Sequence, residues 1–403
     1  MDIDTAFLNS TKDDCVYVRQ PPGFVNPSHP DWVWKLHGGV YGLKQAPLLW
    51  NKHINKSLIN LGFTRHEGEY GLYFRNTLDG ILLVALYVVD LLVASPSARV
   101  MDVTKSKIKS LYSIKDLGPV SKFLGMNISQ SSNGDISLSL ADYISKAAST
   151  QGTPLHKQVH TPLSPSVNYF NDKSSPVEDI TSYQSIVGQL IFISNSGRPD
   201  VAHSVSLLSR FLKDPRVVHL NAAHRVLQYL YTYRLRGLHY RTGSSLGLTV
   251  YSDASHGSLT DLPFSTGGYV TLLSGGCVIW SSKKIKTTIC LSSTEAEYIA
   301  GSEAVKEIEW LSNLFKYMNL KFDQTKLFVD NEPAINLSKN PVYHPRTKHI
   351  DLKFHKMRHV VEQGTLTLDY VNTKDQLADI MTKVFPRDKF ESLRNELVVE
   401  LKH

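Results

Sequence analysis

Cysteine is scarce in this 403-residue chain: Cys15, Cys277 and Cys290 are the only three, an odd number with no metal-ligand spacing. That argues against a disulfide framework or a cysteine-bound zinc, and it fits a reducing compartment. Long hydrophobic runs are also missing. The longest apolar stretch, Ile81 to Val89, is far short of a membrane span, and no charged-then-apolar signal segment opens the chain. Low-complexity tracts and internal repeats are absent. The expectation is an intracellular protein of cytoplasm or nucleus with no membrane partner. Composition is otherwise globular, with 42% hydrophobic residues, and the length suggests two or three domains. The net charge of +7 suits a polyanionic partner, although so modest an excess also serves solubility.

Short apolar runs alternate with turns up to about residue 130. Residues 81–87 and 91–94 read as two strands around a tight turn at Val88-Val89-Asp90. A short helix is expected at 140–150, a loop at Asn168 to Pro176, and helices over 181–235, one with the stripe Leu220, Ala223, Leu227, Leu230. From Leu246 the pattern changes. Alternation through Leu248 and Val250 predicts a strand ending at Asp253, followed by strands at 268–273 and 277–281. A long helix over 293–318 comes next, then a strand at 326–330 and a helix at 331–339. A helix at 347–363, a strand at 365–371 and a last helix at 374–384 complete an α/β domain with a mixed sheet.

Four acids in this region share one kind of position. Asp253 and Asp330 end strands, at the sheet edge where α/β folds hold ligands. In the long helix, Ser292 and Glu295 form a capping box, which gives Glu295 a structural task. The core stripe Gly301, Ala304, Ile308, Leu311, Phe315, Met318, extended back by four, lands on Glu297, so Glu297 faces the sheet. A charge there needs a partner. Asp379 falls in the opening turns of the last helix, which Thr373 and Gln376 are expected to cap. Each acid alone reads as a cap or turn residue. Together, in this order, they suit a pair of Mg²⁺ or Mn²⁺ ions for phosphodiester cleavage. His344, His349, His355 and His359 lack acidic or cysteine partners at zinc spacing and read as a solvated basic surface.

The motifs Tyr251-Ser252-Asp253-Ala254, Ser265-Thr266-Gly267-Gly268-Tyr269-Val270, Trp280-Ser281-Ser282-Lys283-Lys284, Leu291-Ser292-Ser293-Thr294-Glu295-Ala296-Glu297-Tyr298, Val329-Asp330-Asn331-Glu332, Arg346-Thr347-Lys348-His349-Ile350-Asp351-Leu352 and Asp375-Gln376-Leu377-Ala378-Asp379-Ile380 carry a specific resemblance. Residues 246 to 390 resemble the ribonuclease H domain of copia-type LTR retrotransposons. The resemblance implies that Asp253, Glu297, Asp330 and Asp379 are metal ligands and that the substrate is an RNA–DNA hybrid. It also implies phosphate contacts from Lys283, Lys284 and Lys286. Many ribonucleases H carry a mobile histidine after the fifth strand; the matching loop here, Asn372-Thr373-Lys374, has none.

The resemblance extends to the start of the chain. Met1-Asp2-Ile3-Asp4-Thr5-Ala6-Phe7-Leu8-Asn9 resembles the first catalytic strand of copia-type reverse transcriptases, and Tyr41-Gly42-Leu43-Lys44-Gln45-Ala46-Pro47 resembles their template-proximal segment. Lys115-Asp116-Leu117-Gly118 and Phe123-Leu124-Gly125 resemble the entry to the thumb, and Tyr183 to Leu190 with Arg198-Pro199-Asp200 resemble the connecting helices. The budding-yeast branch is the most similar. Asp2 is then the first polymerase ligand, and Lys44 and Gln45 are nucleic-acid contacts. The hairpin tip should carry two aspartates; Val89 stands in place of the first and leaves only Asp90. Valine offers no oxygen, so polymerase activity is expected to be lost. The family also has a fingers segment before Asp2, so an N-terminally truncated palm is expected.

The organisation expected is an incomplete reverse transcriptase palm over 1–130, a thumb and connection over 131–243, and a ribonuclease H-like domain with a five-stranded mixed sheet over 244–403. Further partners implied are other Pol products of a full-length element. The competing reading is a transposon relic that at most binds nucleic acid.

Overall fold

The computed structural model describes residues 1–155, 158–244, 246–255, 265–285, 290, 292–320, 323–339 and 356–401, the side chains of 11–15 excepted. The chain forms two compact units, Met1–Val120 and Ser121–His403.

In the first unit the elements are β1 (Asp2–Ile3), β2 (Thr11–Arg19), β3 (Val33–Gly38), α1 (Ala46–Asn60), β4 (Thr64–Arg65), β5 (Leu72–Thr77), β6 (Gly80–Tyr87), β7 (Asp90–Ala94), α2 (Ala98–Lys109) and β8 (Ile114–Lys115). Six strands make one sheet in the order β4-β5-β6-β7-β1-β8, and β2 with β3 makes a separate ribbon. Trp50, Ile54 and Leu58 recur every four residues along α1, so one helix face buries against Tyr73, Leu82, Val84 and Ile108. The β6–β7 hairpin forms as expected, with Tyr87 opposite Asp90 and Val88-Val89 as its two-residue turn. β1 lies beside β7, which sets Asp2 opposite Asp90.

The second unit opens with β9 (Lys122–Phe123), β10 (Met126–Gln130), β11 (Ile136–Ser139), α3 (Ala141–Thr150), α4 (Ile180–Gly197), α5 (Ala202–Leu208), α6 (Val217–Thr232) and β12 (Arg236–Tyr240). It continues with β13 (Thr249–Ser255), β14 (Thr266–Leu273), β15 (Gly276–Lys284), α7 (Ser293–Tyr317), β16 (Thr325–Val329), α8 (Glu332–Lys339), α9 (Lys356–Glu362), β17 (Leu366–Tyr370), α10 (Arg387–Leu397) and β18 (Val399–Glu400). One sheet runs β18-β12-β11-β10-β9 and the other β15-β14-β13-β16-β17. In the latter, β13, β14 and β15 are antiparallel neighbours, while β13–β16 and β16–β17 are parallel. This is the five-stranded mixed sheet with flanking helices expected of a ribonuclease H-like domain.

Strand alternation gives this sheet two buried faces. Val250 and Ala254 pack against α7 through Ala296, Ala300, Ala304 and Ile308. On the other face Val270 and Cys277 share a core with Tyr183, Leu190, Val226, Leu377 and Ile380. The helices α4 and α6 thus cover one side of the sheet, and the Trp280 indole donates to the Ser194 carbonyl of α4 at 3.0 Å. Cys277 and Cys290 are buried free thiols.

One expected element is corrected. Residues 374–384 are not a helix: only a single 3-10 turn forms, Leu377–Met381, and the last helix is α10, beginning after Pro386. Gln376 is the cause. Its amide is buried, donates to the Ser252 carbonyl at 3.0 Å and accepts from the Ala378 N–H at 3.2 Å, so the segment is pinned to β13 before a second helical turn can close. Gln376, not Thr373, caps the turn. Of the helix expected over 347–363, α9 is seen; residues 347–355 lie outside the described residues, as do His344, His349 and His355.

Candidate metal centre

Asp253, Asp330 and Asp379 each offer a carboxylate oxygen, and these oxygens lie within 4.8 Å of one another. This is the only such acidic group among the described residues. Asp253 is fixed near the carboxyl end of β13, two residues before the strand stops at Ser255. Asp330 follows β16 directly, and the next residue, Asn331, turns the chain into α8 by accepting the Ala334 N–H at 2.9 Å. Asp379 reaches Asp253 because the 3-10 turn lies flat on the sheet. Gly268, opposite Asp253 in β14, makes that possible: a Cβ there would come within 2.4 Å of the Met381 Cβ and 3.0 Å of the Thr382 methyl.

Glu297 joins from the other face. Ser292 caps α7 by accepting the Glu295 N–H at 3.2 Å, and the helix then presents Glu297 to the sheet, buried, as the stripe required. Its carboxylate accepts the Ala254 N–H and shares a hydrogen bond with Asp253. Its Oε2 has no hydrogen-bond partner. Burial, then the charges of Asp253 and Asp330, push Glu297 up to about 10. Burial and the charge of Asp253 likewise push Asp379 up to about 6, against the pull of Lys383. Buried oxygens that repel one another are the donor set a hard divalent cation requires. A hard divalent cation therefore fits the residues present.

Two neighbours were not read from the sequence as site residues. The Thr382 hydroxyl donates to Asp253 Oδ2. The Lys383 ammonium lies 3.3 Å from Asp253 Oδ1 and also donates to Asp379 Oδ1. Burial alone would lower the Lys383 pKa, but the charge of Asp253 and the bond to Asp379 outweigh it and raise it. Their signal was adjacency: they follow Asp379 by three and four residues, just past the 3-10 turn.

Lys283 and Lys284, at the end of β15, line a groove of about 760 Å³ together with Arg210, and Glu303 and Glu307 line it too. Lys286 lies outside the described residues. In the first unit Asp2 and Asp90 face each other across β1 and β7, and Val89 packs against the apolar cluster around Ile3 and Trp50. Lys44 and Gln45 are exposed before α1, and Gln45 makes no capping bond. His359 pairs with Gln363 at 2.9 Å.

Residues 1–165 match the family model described as reverse transcriptase (RNA-dependent DNA polymerase). The chain is 63% identical over 308 residues to a putative transposon Ty5-1 protein of Saccharomyces cerevisiae, covering 76% of this chain and 100% of that protein. It is 33% identical over 400 residues to the retrovirus-related Pol polyprotein from transposon RE1 of Arabidopsis thaliana, covering 99% of this chain and 27% of the polyprotein. Among solved structures, ribonuclease H1 from Halobacterium salinarum is similar at 17% identity and a TM-score of 0.25, over 34% of this chain and 94% of that one. The chain belongs to the retrotransposon reverse transcriptase family, and within it to the copia-type Pol proteins of which the yeast Ty5-1 protein is a relative. It spans about a quarter of the length of the plant Pol polyproteins it matches. No helix among the described residues is long and apolar enough to cross a membrane.

Proposed function

We propose that the second unit is a two-metal ribonuclease H that cuts the RNA strand of an RNA–DNA hybrid, and that the first unit no longer polymerises. The observation that carries the first part is the convergence of Asp253, Asp330 and Asp379 within 4.8 Å beside the buried, unpartnered Oε2 of Glu297. Asp253 and Asp379 would hold the ions, with Glu297 and Asp330 completing the cage. A pair of Mg²⁺ ions held by these acids would supply charge stabilisation to the attacking and the leaving oxygen of an in-line displacement. Asp253 is held in place by Thr382, Asp379 by the Gln376 turn, and Glu297 by the Ala254 N–H, so the oxygens need little rearrangement. Lys283 and Lys284 supply positive charge for backbone phosphates, a sequence-independent recognition that suits a hybrid read by shape and 2′-hydroxyls.

Loss of polymerase function rests on Val89. Its apolar side chain packs into the apolar cluster around Ile3 and Trp50 where a carboxylate would be needed as a metal ligand, and among the described residues Asp2 and Asp90 belong to no group of three acids close enough to share an ion. The test is cleavage of a labelled hybrid by the full chain with Mg²⁺. RNA-strand cutting is expected, with duplex DNA left intact. Asp253→Asn should lower the rate by about a thousandfold or more. A folded chain that leaves the hybrid whole, or an Asn variant that cuts as well as the parent, would refute the assignment.

A further inference from the structure

Lys383 holds one oxygen from each of two acids, Asp253 and Asp379, that belong to the cluster able to take a divalent cation. Asp253 has two: Oδ2 receives the Thr382 hydroxyl, and Oδ1 faces the Lys383 ammonium at 3.3 Å. The second carboxylate gripped by Lys383, Asp379, sits four residues before it in the chain and uses Oδ1. An ammonium and Mg²⁺ cannot share these two oxygens, because like charges a few ångströms apart repel strongly in a buried site. Exposure separates the partners. The side chains of Asp253 and Asp379 are 1% and 3% exposed, whereas that of Lys383 is 35% exposed. The acids are locked in place, while the lysine, on a flexible four-carbon stem, has an open side by which to leave.

We propose that Lys383 is a built-in competitor for the divalent cation: its ammonium and the ion are alternative partners of Asp253 and Asp379, so the lysine sets how much Mg²⁺ the site requires. This rests on the ribonuclease H reading of the centre. The lysine keeps buried carboxylates compatible with folding, and the ion must displace it to bind.

The test is calorimetric titration of the full chain with Mg²⁺, beside thermal melts with and without the ion. Lys383→Met should bind Mg²⁺ about tenfold more tightly than the parent, since a charge-assisted competitor is gone. It should also melt lower without Mg²⁺ and gain more from its addition. Equal or weaker binding by a folded Met variant would overturn the proposal and make Lys383 a structural prop. Should that variant not fold, Lys383→Arg decides: a guanidinium that grips carboxylates with two parallel bonds should weaken Mg²⁺ binding several-fold, and an unchanged affinity overturns the idea. Asp253→Asn separates the two readings. If it binds Mg²⁺ like the parent, the metal centre itself is wrong. If it loses the ion while Lys383→Met fails to gain affinity, only the competitor is wrong.

Discussion

At Val88 a β-branched side chain sits at φ 55, in the left-handed region, as the first of the two residues that turn β6 into β7. Two-residue hairpin turns favour that conformation, and glycine takes it without the penalty of about 1–2 kcal/mol that a Cβ brings. Val88 gains little in return. The residue is 47% exposed, and what anchors the turn is its backbone: the Trp50 indole donates to the Val88 carbonyl at 2.6 Å. Val88→Gly keeps that bond, and is expected to stabilise the first unit by up to about 1 kcal/mol after the entropy cost of glycine. A urea melt reporting on the first unit checks this, and a lower midpoint would contradict it. The neighbouring Val89 could be read from sequence as standing in place of a carboxylate, because that reading needs only a register. The strain at Val88 was not, because residue type does not reveal the sign of φ. Thr382 and Lys383 were missed for a related reason: a hydroxyl and an ammonium announce no site until the turn bearing Asp379 is seen to lie against Asp253.

At the level of elements, α7 was readable because its pattern is long and regular. Gly301, Ala304, Ile308, Leu311 and Met318 are buried as the stripe required, and the same arithmetic placed Glu297. The segment around Asp379 was read as a helix because a short run of Leu, Ala, Ile and Met fits a helix as well as a single turn. What decides between them is tertiary: the buried Gln376 amide on Ser252, a contact 124 residues apart in the chain. Gly268 belongs to the same device. It was readable as part of a motif, but the reason for it is that Met381 and Thr382 occupy the space a Cβ would fill. Gly268→Ala should therefore push the turn off the sheet, cost about 1–3 kcal/mol and draw Asp379 away from Asp253. Hybrid cleavage and Mg²⁺ affinity should fall together with the melting temperature. A variant as stable and as active as the parent would show that the turn tolerates a shift that close packing forbids.

For the molecule as a whole, pH links the helical layer of the second unit to its acidic cluster. His203 on α5 is buried, lines a small cavity with Asp200, Ile380 and Lys383, bonds the Met381 backbone, and leaves its Nδ1 without a partner. Burial, then repulsion from Arg210, lowers its pKa from 6.5 to about 4. The folded chain thus holds a neutral imidazole where the unfolded chain takes up a proton between pH 6.5 and 4. The contribution to stability is complete above 6.5 and is lost as pH falls through that window, on the order of 3 kcal/mol over its full span. Asp379 works in the opposite direction. Its pKa is raised from 3.8 to about 6, so it favours folding at low pH and weakens it as pH rises through that range. The two slopes partly cancel in the parent, and a bare pH profile would hide both. His203→Gln removes one of them while offering an amide to the Met381 carbonyl. Hydrogen exchange of α4–α6 amides in the full chain, followed from pH 7 to 4, should show the parent losing protection relative to the variant as the pH drops below 6.5. Addition of Mg²⁺ should flatten the Asp379 slope, because a bound cation keeps that carboxylate ionised, and leave the His203 slope in place. Parallel profiles for parent and variant would mean that His203 is protonated in the folded chain, and that the packing around it is looser than its burial implies.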